Sequence, residues 1–154
     1  MRVLVLHGPN LNLLGEREPE IYGKQTLAEL DAAIANAARE LGVDVDCEQH
    51  NSEGALIDAL HASRQKYSGI VINPGAYAHY SYAIADAISA IGIPVIEVHL
   101  SNIAARESFR RRSVTAAACR GVFSGLGADG YALALRALQD FPTRSDGGGR
   151  QPGR

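Results

Sequence analysis

Short runs of β-branched residues alternate with longer segments of helical period along this sequence, and the alternation constrains the fold more than any other feature. The runs predict five strands, at about residues 3–6, 43–47, 69–72, 95–98 and 121–124. The runs at 70–72 and 95–96 show no polar alternation, which is typical of strands covered on both faces. Strands that alternate with helices in this way indicate βαβ units and a parallel sheet.

The segments between the runs carry helix start and stop signals. Thr26 followed by Glu29 predicts a capping box, and Gly42 is placed to end that helix. Ser52 and Ser81 are N-cap candidates for helices over about 53–66 and 82–91. Two apolar stripes predict buried helix faces: Leu27, Leu30, Ile34, Ala37 and Leu41 in the first helix, and Tyr131, Ala134, Leu135 and Leu138 in a terminal one.

Right-handed crossovers between such strands predict an α/β fold, a flavodoxin-like three-layer sandwich around a five-stranded parallel sheet. Ligands of such sheets bind at the carboxyl ends of the strands, beside a topological switch point. Residues 1–140 are therefore expected to form one catalytic domain. Residues 141–154 lose periodicity and gain Gly, Pro and Arg, so we predict a disordered carboxyl-terminal tail.

Charge and composition exclude several functional classes. The 15 Lys and Arg residues against 17 Asp and Glu give a formal charge of −2, without the broad basic field that nucleic acid requires. No apolar run approaches the roughly 18 residues of a membrane span, and the start of the chain lacks a secretory cleavage site. We therefore expect a cytoplasmic protein without nucleic-acid or membrane partners. Cys47 and Cys119 fit neither a disulfide framework nor a thiolate zinc site.

Polar residues cluster where the predicted strands end, as a site at the carboxyl edge of a sheet requires. These residues are His7 and Asn10 after the first strand, Asn73 and His79 after the third, and His99, Ser101 and Asn102 after the fourth. Each has a plainer interpretation, since Asn73-Pro74-Gly75 is a common turn sequence and a histidine such as His7 is often structural. The three histidines could converge on a metal, but their spacing matches no metal motif, so we predict no metal.

Two side-chain pairs suggest acid–base chemistry. Arg17 precedes Tyr22 by five residues in a long Gly- and Pro-rich connection, and loops of this length are commonly functional lids. A nearby guanidinium favours the phenolate of a tyrosine, although an aromatic plug beside a solvated arginine remains the alternative. Glu97 and His99 alternate along one strand and so share a face, where the carboxylate can orient the imidazole and support its cation.

Longer blocks of sequence carry a family resemblance that covers about residues 1–140 in unbroken order. The blocks are LHGPNLNLLG (6–15), REP (17–19), IYG (21–23), QHNSEG (49–54), INPGAY (72–77), PVIEVHLSNI (94–103), RE (106–107), FR (109–110) and GLG (125–127), with His79, Ser81 and Asp86 between them. Together they resemble the type II 3-dehydroquinate dehydratases. The resemblance implies elimination of water from 3-dehydroquinate to give 3-dehydroshikimate, without a metal or other cofactor.

The resemblance also implies a role for each residue of the two pairs. Tyr22 would remove the C2 proton, and Arg17 would promote its phenolate form. Asn10, through an ordered water, would help to stabilise the resulting enolate. His99, oriented by Glu97, would then protonate the departing C1 hydroxyl.

Substrate contacts follow from the same resemblance. Asn73, His79 and Arg110 would bind the ring hydroxyls, and Ser101 with the backbone around Leu100 would receive the carboxylate. Arg106 would sit with Arg17 on the closing lid.

The resemblance further implies a homo-oligomer, usually a dodecamer built as a tetramer of trimers, in which Asp86 reaches a neighbouring subunit's site. Two departures are visible: Ala78 and Tyr80 flank His79 where the family usually has hydroxylated residues on both sides, and the segment after Asp140 matches nothing in the family. The first departure puts substrate affinity in question. The pathway, aromatic biosynthesis through shikimate or breakdown of quinate, stays open.

Two alternatives from other classes stay open at the level of sequence. The fold class alone would also suit a flavin- or nucleotide-binding module. A non-catalytic anion-binding domain could instead use the cationic residues Arg106, Arg110, Arg111 and Arg112.

Overall fold

The computed structural model describes residues 1–141 of the 154-residue chain. The predicted tail therefore lies outside the described residues, apart from Phe141. Within residues 1–141, five parallel strands form one sheet in the order β2-β1-β3-β4-β5. The strands are β1 (Arg2–His7), β2 (Asp44–Gln49), β3 (Gly69–Asn73), β4 (Val95–His99) and β5 (Gly121–Ser124). All five predicted strands are confirmed.

Helices connect the strands and cover both faces of the sheet. They are α1 (Pro19–Tyr22), α2 (Leu27–Leu41), α3 (Glu53–Ser63), α4 (Tyr82–Ile91) and α5 (Asp129–Leu138). Short 3₁₀ turns occupy Leu11–Leu13, Gly75–His79, Ile103–Ala105, Ser108–Arg110 and Ala116–Ala118. No helix within the described range is both long and apolar enough to cross a membrane.

The predicted helix signals are present as side-chain contacts. The Thr26 hydroxyl accepts from the Glu29 amide, the Glu29 carboxylate accepts from the Thr26 amide, and Gly42 ends α2 with a φ of 67°. Ser52 caps α3 by accepting from the Ala55 amide, and Ser81 caps α4 by accepting from the Ile84 amide. The stripe of α2 differs from the prediction in one position, because Ala38 is buried with Leu30 and Ile34, where Ala37 was expected. Residues 30, 34 and 38 continue one i, i+4 row, whereas residue 37 lies to its side.

The apolar core has two parts, one on each face of the sheet. Alternate residues of a strand point to opposite faces, so Val3 and Val5 of β1 pack beneath α2 and α5, whereas Leu4 and Leu6 pack beneath α3 and α4. Strands β3 and β4 are buried along their whole length. The three-layer, flavodoxin-like sandwich predicted from the sequence is confirmed.

The topological switch point lies between β1 and β3. The chain passes from β1 to β2 on one side and then crosses to β3 on the other side, where His7 pairs with Asn73 at the carboxyl ends. The Gly8 amide donates to the Asn73 carbonyl at 2.7 Å. The loops that leave β1 and β3 therefore start in direct contact, which creates the crevice in which sheets of this kind bind ligands.

Candidate active site

A cavity of about 110 Å³ opens at the carboxyl edge of the sheet, where the loops after β1, β3 and β4 meet. A single water needs roughly 10–15 Å³ by this kind of measure, so the cavity can hold a small organic ligand. Its lining includes the site residues predicted from the sequence except Glu97, Asp86, His7 and Asn102. Those in the lining are Asn10, Arg17, Tyr22, Asn73, His79, His99, Leu100, Ser101 and Arg110, and Arg106 joins them.

Glu97 lies directly behind His99, beneath the floor of the cavity. His99 Nε2 is 2.6 Å from Glu97 Oε1, and Glu97 is fully buried. Ser113 donates to Oε1 and Thr115 donates to Oε2, each at 2.6 Å, and the Cys119 thiol donates to Oε2 at a longer 3.9 Å. The predicted pairing of Glu97 with His99 along one strand face is therefore confirmed as a contact.

The protonation of Glu97 follows from these contacts. Burial alone would raise the pKa of the Glu97 carboxyl, but the hydrogen bonds from His99, Ser113 and Thr115 outweigh it and hold the pKa below its usual value. The buried carboxylate is thus ionised at neutral pH and accepts from His99 Nε2. Nδ1 is left as the ring nitrogen that His99 can offer to a ligand in the cavity.

Tyr22 ends the single turn of α1 and is flanked by two guanidinium groups. Arg106 Nη1 donates to the Tyr22 hydroxyl at 3.1 Å and to Ser101 Oγ at 3.2 Å. The Arg17 guanidinium carbon lies 5.1 Å from the centre of the Tyr22 ring. One cation therefore contacts the Tyr22 hydroxyl and a second lies near its ring.

Sequence reasoning missed the direct contact between Arg106 and Tyr22. The resemblance implies that Arg106 sits with Arg17 at the lid, and both guanidiniums flank Tyr22: Arg106, in the segment after β4, reaches the Tyr22 hydroxyl. The two residues are 84 positions apart in the chain, so no local pattern pairs them. The hydroxyls of Ser113 and Thr115 were missed for the same reason, because they reach Glu97 from a distant loop.

His79 and Arg110 also line the cavity. His79 Nδ1 donates to the Arg112 carbonyl at 2.8 Å, which leaves its Nε2 free to accept, and its ring stacks on His99 with 6.4 Å between centres. Arg110 Nε lies 3.3 Å from a Glu107 carboxylate oxygen, yet it is buried without a hydrogen bond of good geometry among residues 1–141. The two side chains therefore retain capacity to bind a polar ligand.

Asn10 is held in place by its backbone. Its φ of 66° lies in the left-handed region, and its amide donates to Asn51 Oδ1 at 3.0 Å. Asparagine tolerates this conformation better than most residues, and the anchored turn keeps Asn10 at the cavity wall.

Asp86, in contrast, is exposed on α4 and does not line this cavity.

His7 does not join the other two histidines. It is fully buried, its Nε2 lies 2.8 Å from Asp31 Oδ1, and it does not line the cavity. The hypothesis of three converging histidines is therefore wrong. Ligand-type atoms of His7, Asp31 and Cys47 do lie within 4.8 Å of one another, and burial together with the Asp31 charge raises the pKa of the Cys47 thiol to about 12.

The fold and the cavity together define an α/β protein with an acid–base site, in which a phenol beside guanidiniums and an imidazole beside a carboxylate share one crevice at the switch point. The description "Dehydroquinase class II" belongs to a family model that matches residues 1–139. The chain is a member of this family.

Individual relatives agree with the family assignment. A 3-dehydroquinate dehydratase of Pelotomaculum thermopropionicum is 58% identical over 137 residues, covering 89% of this chain and 95% of that protein. One from Bacillus cereus is 57% identical over 139 residues, with 90% and 95% covered. The crystal structure of a type II dehydroquinase from Butyrivibrio crossotus superposes with a TM-score of 0.89 at 46% identity, covering 91% of this chain and 98% of that one.

Proposed function

We propose that this protein dehydrates 3-dehydroquinate to 3-dehydroshikimate by a stepwise elimination through an enolate. Membership of the class II dehydroquinases supports the substrate and the reaction. The observation that carries the mechanism is that the Tyr22–Arg106 pair and the His99–Glu97 pair line or underlie one small cavity. A base and an acid on separate elements are what a stepwise elimination needs.

Tyr22 acts first, as the base. Its phenolate, stabilised by Arg17 and Arg106, takes the proton from C2 of the substrate, and the electrons of the broken bond pass to the C3 oxygen. The enolate therefore carries a negative charge that the ketone lacked. Asn10, acting through an ordered water, stabilises this charge, and such donors are most effective when they are fixed before the reaction begins.

His99 acts second, as the acid. The enolate electrons return to form the C1–C2 double bond and the C3 ketone, the C1–oxygen bond breaks, and the imidazolium of His99 donates a proton so that water leaves. Glu97 stabilises the imidazolium because it is an ionised carboxylate 2.6 Å away. Tyr22 has then gained one proton and His99 has lost one, so a proton exchange through solvent restores the resting site. No step requires a metal or another cofactor.

The remaining cavity residues bind the substrate. Asn73, His79 and Arg110 contact the ring hydroxyls, supported by the donor and acceptor capacity that these side chains retain. Ser101, with the backbone around Leu100, receives the carboxylate. The anion is favoured there because the Arg106 guanidinium lies 3.2 Å from Ser101 Oγ.

The wider setting of the reaction completes the proposal. Residues 1–140 form the catalytic domain, and the protein works in the cytoplasm as a homo-oligomer, a dodecamer built as a tetramer of trimers. Asp86 then completes the site of a neighbouring subunit. The exposed side chains of Tyr82 and Asp86 support such an interface, because they lie one turn apart on α4 and share one face.

Turnover of 3-dehydroquinate in excess chelator, followed as growth of absorbance from the conjugated enone, tests the function. Replacing Tyr22 by Phe removes the base and keeps the ring, so we expect kcat to fall by about 10²–10⁴-fold. Tyr67→Phe removes the hydroxyl that donates to Asp46, outside the cavity and away from α4, and serves as the matched control. Full turnover by Tyr22→Phe would contradict the assignment of Tyr22 as the base. Carboxylate binding without any turnover by the unmodified protein would favour an anion-binding module instead.

A further inference from the structure

Asp31, His7 and Tyr131 lie outside the cavity, yet a row of hydrogen bonds connects them to Asn73 in its wall. Asp31 Oδ1 is 2.8 Å from His7 Nε2, His7 Nδ1 is 3.4 Å from the Tyr131 hydroxyl, and that hydroxyl is 3.2 Å from Asn73 Nδ2. The four residues, here called the Asp31–Asn73 network, come from α2, β1, α5 and β3. Asp31 is 35% exposed at one end, whereas His7 and Tyr131 are fully buried.

All hydrogen bonds of the network can form together only when each group donates towards Asp31, in the order Asn73, Tyr131, His7 and Asp31. Asn73 Oδ1 accepts from the Gly75 amide at 3.1 Å, so its Nδ2 must face Tyr131 and donate to the phenol oxygen. The phenol hydrogen then has His7 Nδ1 as its acceptor. His7 Nε2 in turn donates to the Asp31 carboxylate, which can only accept while ionised.

The opposite direction is unfavourable. A proton on His7 Nδ1 would point at the Tyr131 oxygen, and the Tyr131 hydrogen would then require Asn73 to turn its Oδ1 inward. That rotation would set Asn73 Nδ2 against the Gly75 amide, two donors facing each other in a buried turn. Burial raises the pKa of Tyr131 and the Asp31 charge adds to this, so the phenol keeps the hydrogen that needs an acceptor.

We propose that Asp31, acting through His7 and Tyr131, is a positioning residue that fixes the amide orientation of Asn73 and so makes Asn73 a hydrogen-bond donor to the substrate. Nδ2 has a second hydrogen that no bond within residues 1–141 uses, and Asn73 lines the cavity. The inference rests on the proposed function for the identity of the ligand, a ring hydroxyl oxygen. It concerns Asp31, His7 and Tyr131, none of which touches the cavity.

The first test is spectroscopic and does not depend on turnover. Nitrogen-15 NMR of the histidine rings should find His7 protonated on Nε2 and unprotonated on Nδ1 at neutral pH, with the Nδ1 signal shifted in Tyr131→Phe. In Asp31→Ala the fixed tautomer should be lost. A His7 ring protonated on Nδ1 in the unmodified protein would overturn the inference.

The second test separates positioning from a general structural effect. Asp31→Ala should raise KM about five-fold and change kcat less than about two-fold, since one hydrogen bond in substrate binding is weakened and the acid and base are untouched. Asp31→Asn keeps an acceptor oxygen for His7 and should restore most of the affinity. Glu40→Ala removes another exposed carboxylate from α2 and should leave KM unchanged.

A double-mutant cycle completes the design. Tyr131→Phe interrupts the network, so adding Asp31→Ala to it should raise KM no further. An equal factor in both backgrounds, or an unchanged KM in Asp31→Ala alone, would overturn the inference. If the unmodified protein does not turn over 3-dehydroquinate, the proposed function fails, and the tautomer of His7 still decides whether the network has the assigned direction.

Discussion

At the scale of single residues, Glu97 is a carboxylate that is both fully buried and negatively charged. Three short hydrogen bonds to its oxygens make this burial possible. A buried carboxylate is costly unless its oxygens are bonded, and here His99, Ser113 and Thr115 supply the bonds. The cost of disturbing the shell should therefore exceed that of changing an exposed carboxylate. The same shell keeps the charge that supports the imidazolium of His99.

Replacing Glu97 by Gln should lower the free energy of unfolding by about 2–4 kcal/mol at pH 7, because an amide nitrogen would meet one of the three donors. The pKa of folded Glu97 lies below its ordinary value of 4.5, so an unfolded chain takes up this proton first as the pH falls. The difference in free energy of unfolding between the unmodified protein and Glu97→Gln should therefore be largest above pH 4.5 and decrease below it. Urea unfolding between pH 7 and pH 3 measures this, with Glu40→Gln as the exposed control. A difference that does not change with pH would contradict an ionised Glu97.

Sequence reasoning at this scale reached the contacts that local geometry dictates. Strand alternation alone places Glu97 beside His99, and both the pairing and its face are as predicted. The contact of Arg106 with Tyr22 depends on how the loop after β4 folds back over the loop after β1, and no periodicity encodes that. The hydrogen bond of His7 is non-local in the same way, because its partner Asp31 lies on α2, and only the packed structure shows that the two side chains meet.

At the scale of elements, the close contact between the loops after β1 and β3 positions the site. A Cβ atom on Gly8 would lie 2.6 Å from the Pro74 carbonyl group and 2.8 Å from the Asn73 oxygen, distances that real side chains do not reach. Gly8 is therefore required by space and not by its backbone angle. Any side chain there must separate Asn10 from Asn73, and both line the cavity.

Gly8→Ala should destabilise the protein by about 1–3 kcal/mol through this overlap and should also lower kcat/KM. Gly54→Ala is the matched control, since its added methyl group meets only Ser52 Oγ at 3.7 Å and alanine favours helix α3. We expect the control to gain up to about 1 kcal/mol and to keep full activity. Thermal unfolding and steady-state kinetics measure the stability and kcat/KM of the two variants. Equal stability and equal kcat/KM would contradict the prediction, because the loops after β1 and β3 could then separate without cost.

The elements themselves were largely predictable, because their signals are local. The capping box at Thr26, the caps at Ser52 and Ser81, and the β-branched runs each fix an element within a few residues. Helix α3 ends at Ser63, before the predicted residue 66, since the Ser63 hydroxyl bonds back to the Leu60 carbonyl and the chain turns there. The single turn of α1, which carries Tyr22, begins with Pro19 and is followed by Gly23 at a φ of 79°, a local signal that the sequence reasoning did not use.

At the scale of the whole molecule, the site draws on three strand ends and leaves α4 with an exposed polar and aromatic face. Tyr82 is 66% exposed, and Asp86 is exposed one turn further along the same helix. The parallel sheet and a site at the carboxyl ends of its strands followed from the sequence pattern, whereas the order of the strands and the partner of this face come from packing. Asp86 does not line the cavity of its own chain, so its proposed role requires a neighbouring subunit.

Mixed oligomers test that role. If Asp86 acts across an interface, a Tyr22→Phe subunit supplies the Asp86 that an Asp86→Ala subunit lacks, and some mixed sites become complete. With equal amounts of the two variants and one directional contact per site, about one quarter of the sites should contain both Tyr22 and Asp86. Each variant alone should be far less active, so co-refolding the two should raise the activity well above their average, and sedimentation should report the assembly. Co-refolding that yields only the average activity would place Asp86 outside the neighbouring site, because a residue acting within its own chain cannot be complemented.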